Sequence, residues 1–193
     1  MRWNIDPSHS TAEFSVRHLM ITNVRGRFGK LAGTVELDAE HPESSSVDVT
    51  IDATSIDTRN EKRDEHLRSP DFFDVAQFPV VAFKSTKVTV TDDGFSVLGD
   101  LTMHGVTKPV TLEVEALSPA SKDPWGNTRI GTSAKAKLNR KDWGLNWNAA
   151  LETGGVVVGE QVKISIDVSL VQMVAVAKIP DATRGDENPS AHA

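Results

Sequence analysis

Hydrophobic and polar residues alternate with a period of two along most of the chain. Ala12, Phe14 and Val16 alternate with Glu13, Ser15 and Arg17. Leu31, Gly33, Val35 and Leu37 form a second run, and Val47, Val49, Ile51 and Ala53 a third. Val81 and Phe83 open a fourth that continues through Val88 and Val90, and Phe95, Val97, Gly99 and Leu101 follow the Asp92-Asp93-Gly94 turn. The pattern recurs at Val110, Leu112, Val114 and Ala116, at Ile130, Ala134, Ala136 and Leu138, and at Val162, Ile164, Ile166, Val168 and Leu170. Successive side chains of a strand point to opposite faces, so each run is a strand with one dry and one wet face. About eight such strands predict an all-β antiparallel protein whose dry face is buried in a sandwich or a closed barrel. Several runs reach roughly nine residues, against a usual strand length of about five or six, which favours a tall barrel. A barrel of about eight strands is either filled by its own side chains or holds one small ligand, and the alternation does not choose between these.

One segment breaks the rhythm. Ser55 to Pro79 reads SIDTRNEKRDEHLRSPDFFDVAQFP. Thr58-x-x-Glu61 fits a capping box, Asp64 stands four residues before Arg68, and Pro70 pushes Ser69 out of helical geometry. The spacing predicts one short helix inserted between strands. Only Leu67 is clearly apolar in it, so the helix cannot anchor a core alone; Phe72, Phe73 and Phe78 follow as candidates for that task. Two readings stand. The phenylalanines line or plug an apolar cavity beneath the helix, or they belong to a solid core with the helix pinned over one barrel end.

The chain has 193 residues, enough for one core. A barrel domain over 1–170 is expected, with 171–193 as a flexible C-terminal extension, polar and aperiodic from Asp181 onward. Val171 to Ile179 either extends the last strand or packs outside it. A net charge of −6 argues against a nucleic-acid surface. There is no cysteine, hence no disulfide, thiolate metal site or cysteine nucleophile. No stretch approaches the ~18 apolar residues of a membrane span. The opening MRWNIDPSHS has no apolar signal-peptide core, so the expected compartment is the cytoplasm, or the periplasm or exterior if a leader was removed.

Catalytic chemistry finds no motif. There is no GxSxG elbow and no glycine-rich phosphate loop, and Asp6, Glu13, Asp57 and Glu61 show no pairing signal. His66 and His104 have no second ligand at metal spacing, and the acids Asp64, Glu65, Asp71 and Asp74 read as a solvated surface, so no metal is expected. His18 is in phase with Phe14 and Val16, which makes it either a satisfied core histidine or a polar contact to a ligand. In KLNRKDWGLNWN, from Lys137 to Asn148, a tight turn fixed by an Arg140–Asp142 ion pair is expected.

The stretches GRFGKLAGTVELD, SIDTRNEKRDEHLRSPDFFDVAQFP, GDLTMHGVTKPV and LNRKDWGL follow one another in the order and spacing of a known family. From about Trp3 to Leu170 the chain strongly resembles the YceI-like, lipocalin-like polyisoprenoid-binding proteins. The resemblance implies an eight-stranded antiparallel lipocalin-like barrel with one helix before the phenylalanine pair. It implies a deep apolar channel for a long isoprenoid chain, that of an isoprenoid quinone or polyprenyl lipid, held for storage, transport or protection. It implies no required cofactor, and a homodimer. On that resemblance the inward face becomes the ligand-binding set: Phe14, Val16, Val35, Val49, Ile51, Phe72, Phe73, Phe83, Val97, Leu112, Ile164 and Ile166, with His18 as the polar contact. The chain is then expected to be a binding protein and not an enzyme. The alternatives are an enzyme or chaperone acting on a lipid or quinone in the same barrel, and a ligand-free stress or interaction protein. Many family members are periplasmic and carry a leader, which the opening residues here do not resemble.

Overall fold

The structure, a computed structural model, describes residues 1–152 and 154–173. Twelve strands and one α-helix follow in order: β1 (Arg2–Ile5), β2 (Thr11–His18), β3 (Thr22–Phe28), β4 (Leu31–Glu36), β5 (Ser46–Asp52), β6 (Ile56–Asp57), α1 (Glu61–Arg68), β7 (Val80–Thr91), β8 (Gly94–Met103), β9 (Val106–Glu115), β10 (Ser121–Lys122), β11 (Thr128–Asn139) and β12 (Val158–Gln172). Several are halves of one bent strand. β1 and β2 lie end to end along β12, pairing Ile5 with Leu170 and Phe14 with Ile164. β3 and β4 run back along β2 and β1, and β5 and β6 run along β4 and β3. Merged this way, the elements make a closed eight-stranded antiparallel barrel, shut by β11 against β12.

Each of the eight alternating runs is a strand of this barrel. The pattern missed β1 and β3. Trp3 and Ile5 do alternate, but over four residues only; in β3 the inward positions include Gly26, and Arg25 and Arg27 flank it. The run from Val81 to Val90 changes parity and still keeps one face: a register shift between Ser85 and Lys87 puts Val88 and Val90 in phase with Val81 and Phe83. Val88 is in the core, and Val90 is exposed because it stands beyond the stretch of β7 that pairs with β5. The last strand continues to Gln172, so residue 170 is not its end, and Met173 donates its N–H to the Arg2 carbonyl. The expected flexible tail and most of Val171 to Ile179 lie outside the described residues.

The helix is present, capped differently from the expectation. Its N-cap is Asn60, whose side chain accepts from the Arg63 N–H at 3.0 Å. Thr58 is buried, and its N–H and hydroxyl donate to Asp64 at 2.9 and 2.5 Å. The hydroxyl is therefore occupied by a charged acceptor and unavailable to the helix start. Arg68 does not pair with Asp64; it donates to the carbonyls of Thr54 and Ile56 at 3.0 and 2.8 Å. These side chains hold α1 to the β5–β6 corner. Beyond the helix the chain folds back, with the N–H groups of Phe73 and Val75 bonded to the carbonyls of Leu67 and Arg68. That return carries both phenylalanines beneath the helix.

Candidate functional site: a dry cavity along the barrel

The inward face of the strands encloses a cavity of about 530 Å³. Its wall is almost wholly apolar, with Glu13, Asp38, Ser45, Ser118 and Thr132 as the polar members. One observation separates a hollow barrel from a filled one. Val35, Val47, Val49, Ile51, Ile164 and Ile166 all point inward and line the cavity, yet they are only half-buried. A close-packed interior leaves no void of this size. These side chains are partly exposed because they face empty space inside the protein.

The two ends of the cavity differ. At one, the lining reaches Met1 ahead of β1, Leu37, Ala39 and Pro42 after β4, and Leu117 after β9. A polar clamp stands beside this rim. Arg129 bridges Asp6 at 2.5 Å and Asp123 at 2.7 Å, and Asp6 also meets His9 Nδ1 at 2.8 Å. The hydrogen bond from Arg129, followed by that from His9, holds the Asp6 carboxyl down to about 2. Arg129 likewise holds Asp123 well below the usual carboxylate range.

The opposite end is a floor. Phe72 stacks at a tilt on Trp147 with ring centroids 5.4 Å apart, and His66 stands edge-on to both. Phe73 meets Phe28 edge-on at 5.7 Å, and Phe28 meets Phe14 at 5.8 Å. The turn after β11 closes this end with backbone bonds. Arg140, only 4% exposed, donates to the carbonyls of Leu145, Gly159 (2.9 Å) and Val158 (3.3 Å). The expected Arg140–Asp142 ion pair is absent, because these carbonyls take the guanidinium. Burial lowers the Arg140 pKa from its ordinary value, and Glu160 opposes that shift. Trp143 is buried with its indole N–H donating to the Leu101 carbonyl at 3.1 Å, and His104 Nδ1 donates to the Trp143 carbonyl at 3.0 Å.

Of the thirteen expected ligand residues, the structure gathers Phe14, Val35, Val49, Ile51, Phe83, Val97, Leu112, Ile164 and Ile166 around the cavity. Val16, His18, Phe72 and Phe73 are not in its wall. Phe72 and Phe73 pack into the floor below it. His18 pairs with Thr22 and Val158 at the end of β2, beside a turn in which Leu19 and Met20 both take positive φ. Alternation alone overreached there, because it marks the inward phase but not how far along the axis the cavity extends. The reading also missed Trp3, Ile5, Ile130 and Leu170, which line the wall. Trp3 and Ile5 were legible as a short alternating pair. The indole N–H of Trp3 is the one buried side-chain polar atom without a partner among the described residues.

Among the described residues no group of three or more His, Asp or Glu side chains is placed to hold a metal ion. No described helix is long and apolar enough to cross a membrane.

Comparison with known proteins agrees with this geometry. The YceI-like domain matches residues 3–170. Protein YceI of Escherichia coli is 41% identical over 137 residues, 71% of this chain and 71% of that protein. A UPF0312 protein of Staphylococcus aureus is 38% identical over 162 residues, 83% of this chain and 92% of its own length. Among solved structures, the Campylobacter jejuni YCEI protein superposes with a TM-score of 0.68 at 28% identity, covering 81% of this chain and 90% of that one. A polyisoprenoid binding domain from Saccharophagus degradans shares the fold, with a TM-score of 0.63 at 17% identity, covering 88% and 97%.

Proposed function

The chain belongs to the YceI-like family, and from that premise we propose that its barrel binds the chain of an isoprenoid lipid. The half-buried apolar face around the cavity carries this reading. Ordered water needs two to four polar partners, which this apolar wall does not offer. A hydrocarbon chain needs none, and each methylene moved from water into the cavity contributes about 0.8 kcal/mol before ordering costs. The polyisoprenoid binding domain of Saccharophagus degradans has the same fold. An isoprenoid quinone and a polyprenyl lipid both present such a chain, and the cavity suits storage, carriage or protection of either. Glu13 and Asp38 are the only carboxylates in the wall, which favours binding over acid–base catalysis on the ligand.

Native mass spectrometry after incubation with isoprenoid quinones and polyprenols tests this. A one-to-one adduct is expected with at least one class; protein that stays free of both rejects the reading. Ile51→Trp or Ile164→Trp fills the cavity and should abolish the adduct while leaving the β-sheet circular dichroism intact.

A further inference from the structure

The barrel wall is not equally closed all round. β11 is paired to β12 through eleven residue pairs, and β8 to β9 through ten. Between β9 and β11 there are only two, Ala134 with Val114 and Lys135 with Glu113. Continued at the same register, pairing would bring Thr111 opposite Lys137 and Pro109 opposite Asn139. It stops instead, although both strands continue and remain paired on their other edges.

Two features stand at the far end of the seam. The β8–β9 hairpin closes on Met103 and Val106 around a two-residue turn, His104 and Gly105, both with positive φ. Counting alternate pairs from that closing pair puts Pro109 at a position whose backbone nitrogen faces β11, not β8. Proline has no N–H, so β9 lacks a donor at the far end of the seam, one bonded position beyond Thr111. At the head of the gap, the turn Arg140–Trp143 crosses from β11 toward β9, with Trp143 bonded to Leu101 of β8.

The seam separates the central cavity from a groove outside. A groove on the outer face of the sheet begins at this seam, at Pro109, Thr111 and Lys137, and runs across β12 and β2 to Arg25 of β3; Val110, Ala136 and Leu138 line both it and the central cavity. The groove is of mixed charge: Lys135 and Lys137 on β11 and Lys163 opposite on β12, with Glu113 and Asp142 on one side and Glu13 of β2 and Arg25 of β3 on the other. A path that is charged outside and apolar inside matches a molecule with a polar head and a hydrocarbon tail.

We propose that the β9–β11 seam is a side entrance through which the ligand's tail passes between a lipid surface and the cavity. This rests on the isoprenoid-binding reading. It goes further in assigning the route of exchange to the split wall, although the cavity also reaches the rim at Met1 and Pro42.

The chain contains no cysteine, so a Thr111→Cys, Lys137→Cys variant carries the only two thiols. A short, reducible bis-methanethiosulfonate linker then bridges the seam without forcing the strands together. The probe is a dansyl-labelled polyprenol in phosphatidylcholine vesicles, followed by fluorescence as the protein takes it up. Bridged protein is expected to load at least tenfold more slowly to the same end point, and dithiothreitol should restore the rate. Equal rates with and without the bridge overturn the side entrance while leaving lipid binding intact. No uptake by unmodified protein overturns the binding reading itself, and the entrance with it. If bridging destroys the β-sheet circular dichroism, Pro109→Val decides instead: it supplies the missing donor and should slow loading severalfold, and an unchanged rate rejects the proposal.

Discussion

The floor and the rim of the barrel are built from the same kind of strand and behave as opposites. At the floor, aromatic rings meet within 6 Å of one another and a buried arginine caps three carbonyls. At the rim, apolar residues from loops face a void, and order comes from one surface network around Arg129. Alternation builds a wall, while the connections decide which end is stoppered. Connections with aromatic residues and buried donors close one end; those at the rim, with Asp, Pro and Ser among their residues, leave the other open.

Substitutions test this contrast, beginning with the largest expected effect. Arg140→Leu removes three charge-assisted hydrogen bonds from a site with little water access. It should cost about 3–5 kcal/mol in urea unfolding, since each orphaned buried carbonyl carries its own desolvation penalty. A loss below about 1 kcal/mol would show that the floor is not held by this residue. Phe72→Ala opens a hole in packed structure and should cost about 3–5 kcal/mol. Val35→Ala, at the wall of an existing void, loses fewer contacts and should cost about 1 kcal/mol by the same measurement. Equal losses at the two positions would mean that the cavity is collapsed in solution.

The rim network makes an acid-dependent contribution whose direction follows from Asp6. Its folded pKa lies below the unfolded value, so it stabilises the fold above about pH 4, and that contribution disappears as the pH falls toward about 2. Asp6→Asn should therefore be less stable than the parent near neutrality, and its urea midpoint should fall less steeply between those pH values. Parallel midpoint curves for the two proteins would refute the role. The smallest effect is expected at Trp3. Replacing it with Phe removes a buried donor that has no partner, so the change should be neutral or slightly stabilising. A clear loss of stability would reveal a hydrogen bond that the indole makes in solution.

The strand pattern was legible because burial on one face of a sheet imposes a strict period of two. That is why Val47–Ala53 and Val162–Leu170 could be placed on the inward face without coordinates. It failed where the period was too short, as in β1, and it held across the bulge between Ser85 and Lys87, which carries Val88 onto the face of Val81 and Phe83. The helix was legible from Pro70, which marks its end, although the Asp64–Arg68 pair that the spacing suggested does not form. Its cap was not, because whether Thr58 serves the helix start or Asp64 depends on how tightly the β5–β6 corner folds. The candidate site was readable in composition but not in extent. His18 has the inward phase of its strand, yet it stands beyond the end of the cavity.

The all-β class, the eight staves and the inserted helix follow from local spacing and residue type, and were readable along the chain. That the barrel is hollow, which end is closed and where the wall parts emerge only when the chain is folded. Those depend on volumes and on distances between residues far apart in the chain: whether Phe72 reaches Trp147, whether Arg140 reaches Gly159, and whether β9 can finish its ladder with β11 past Pro109.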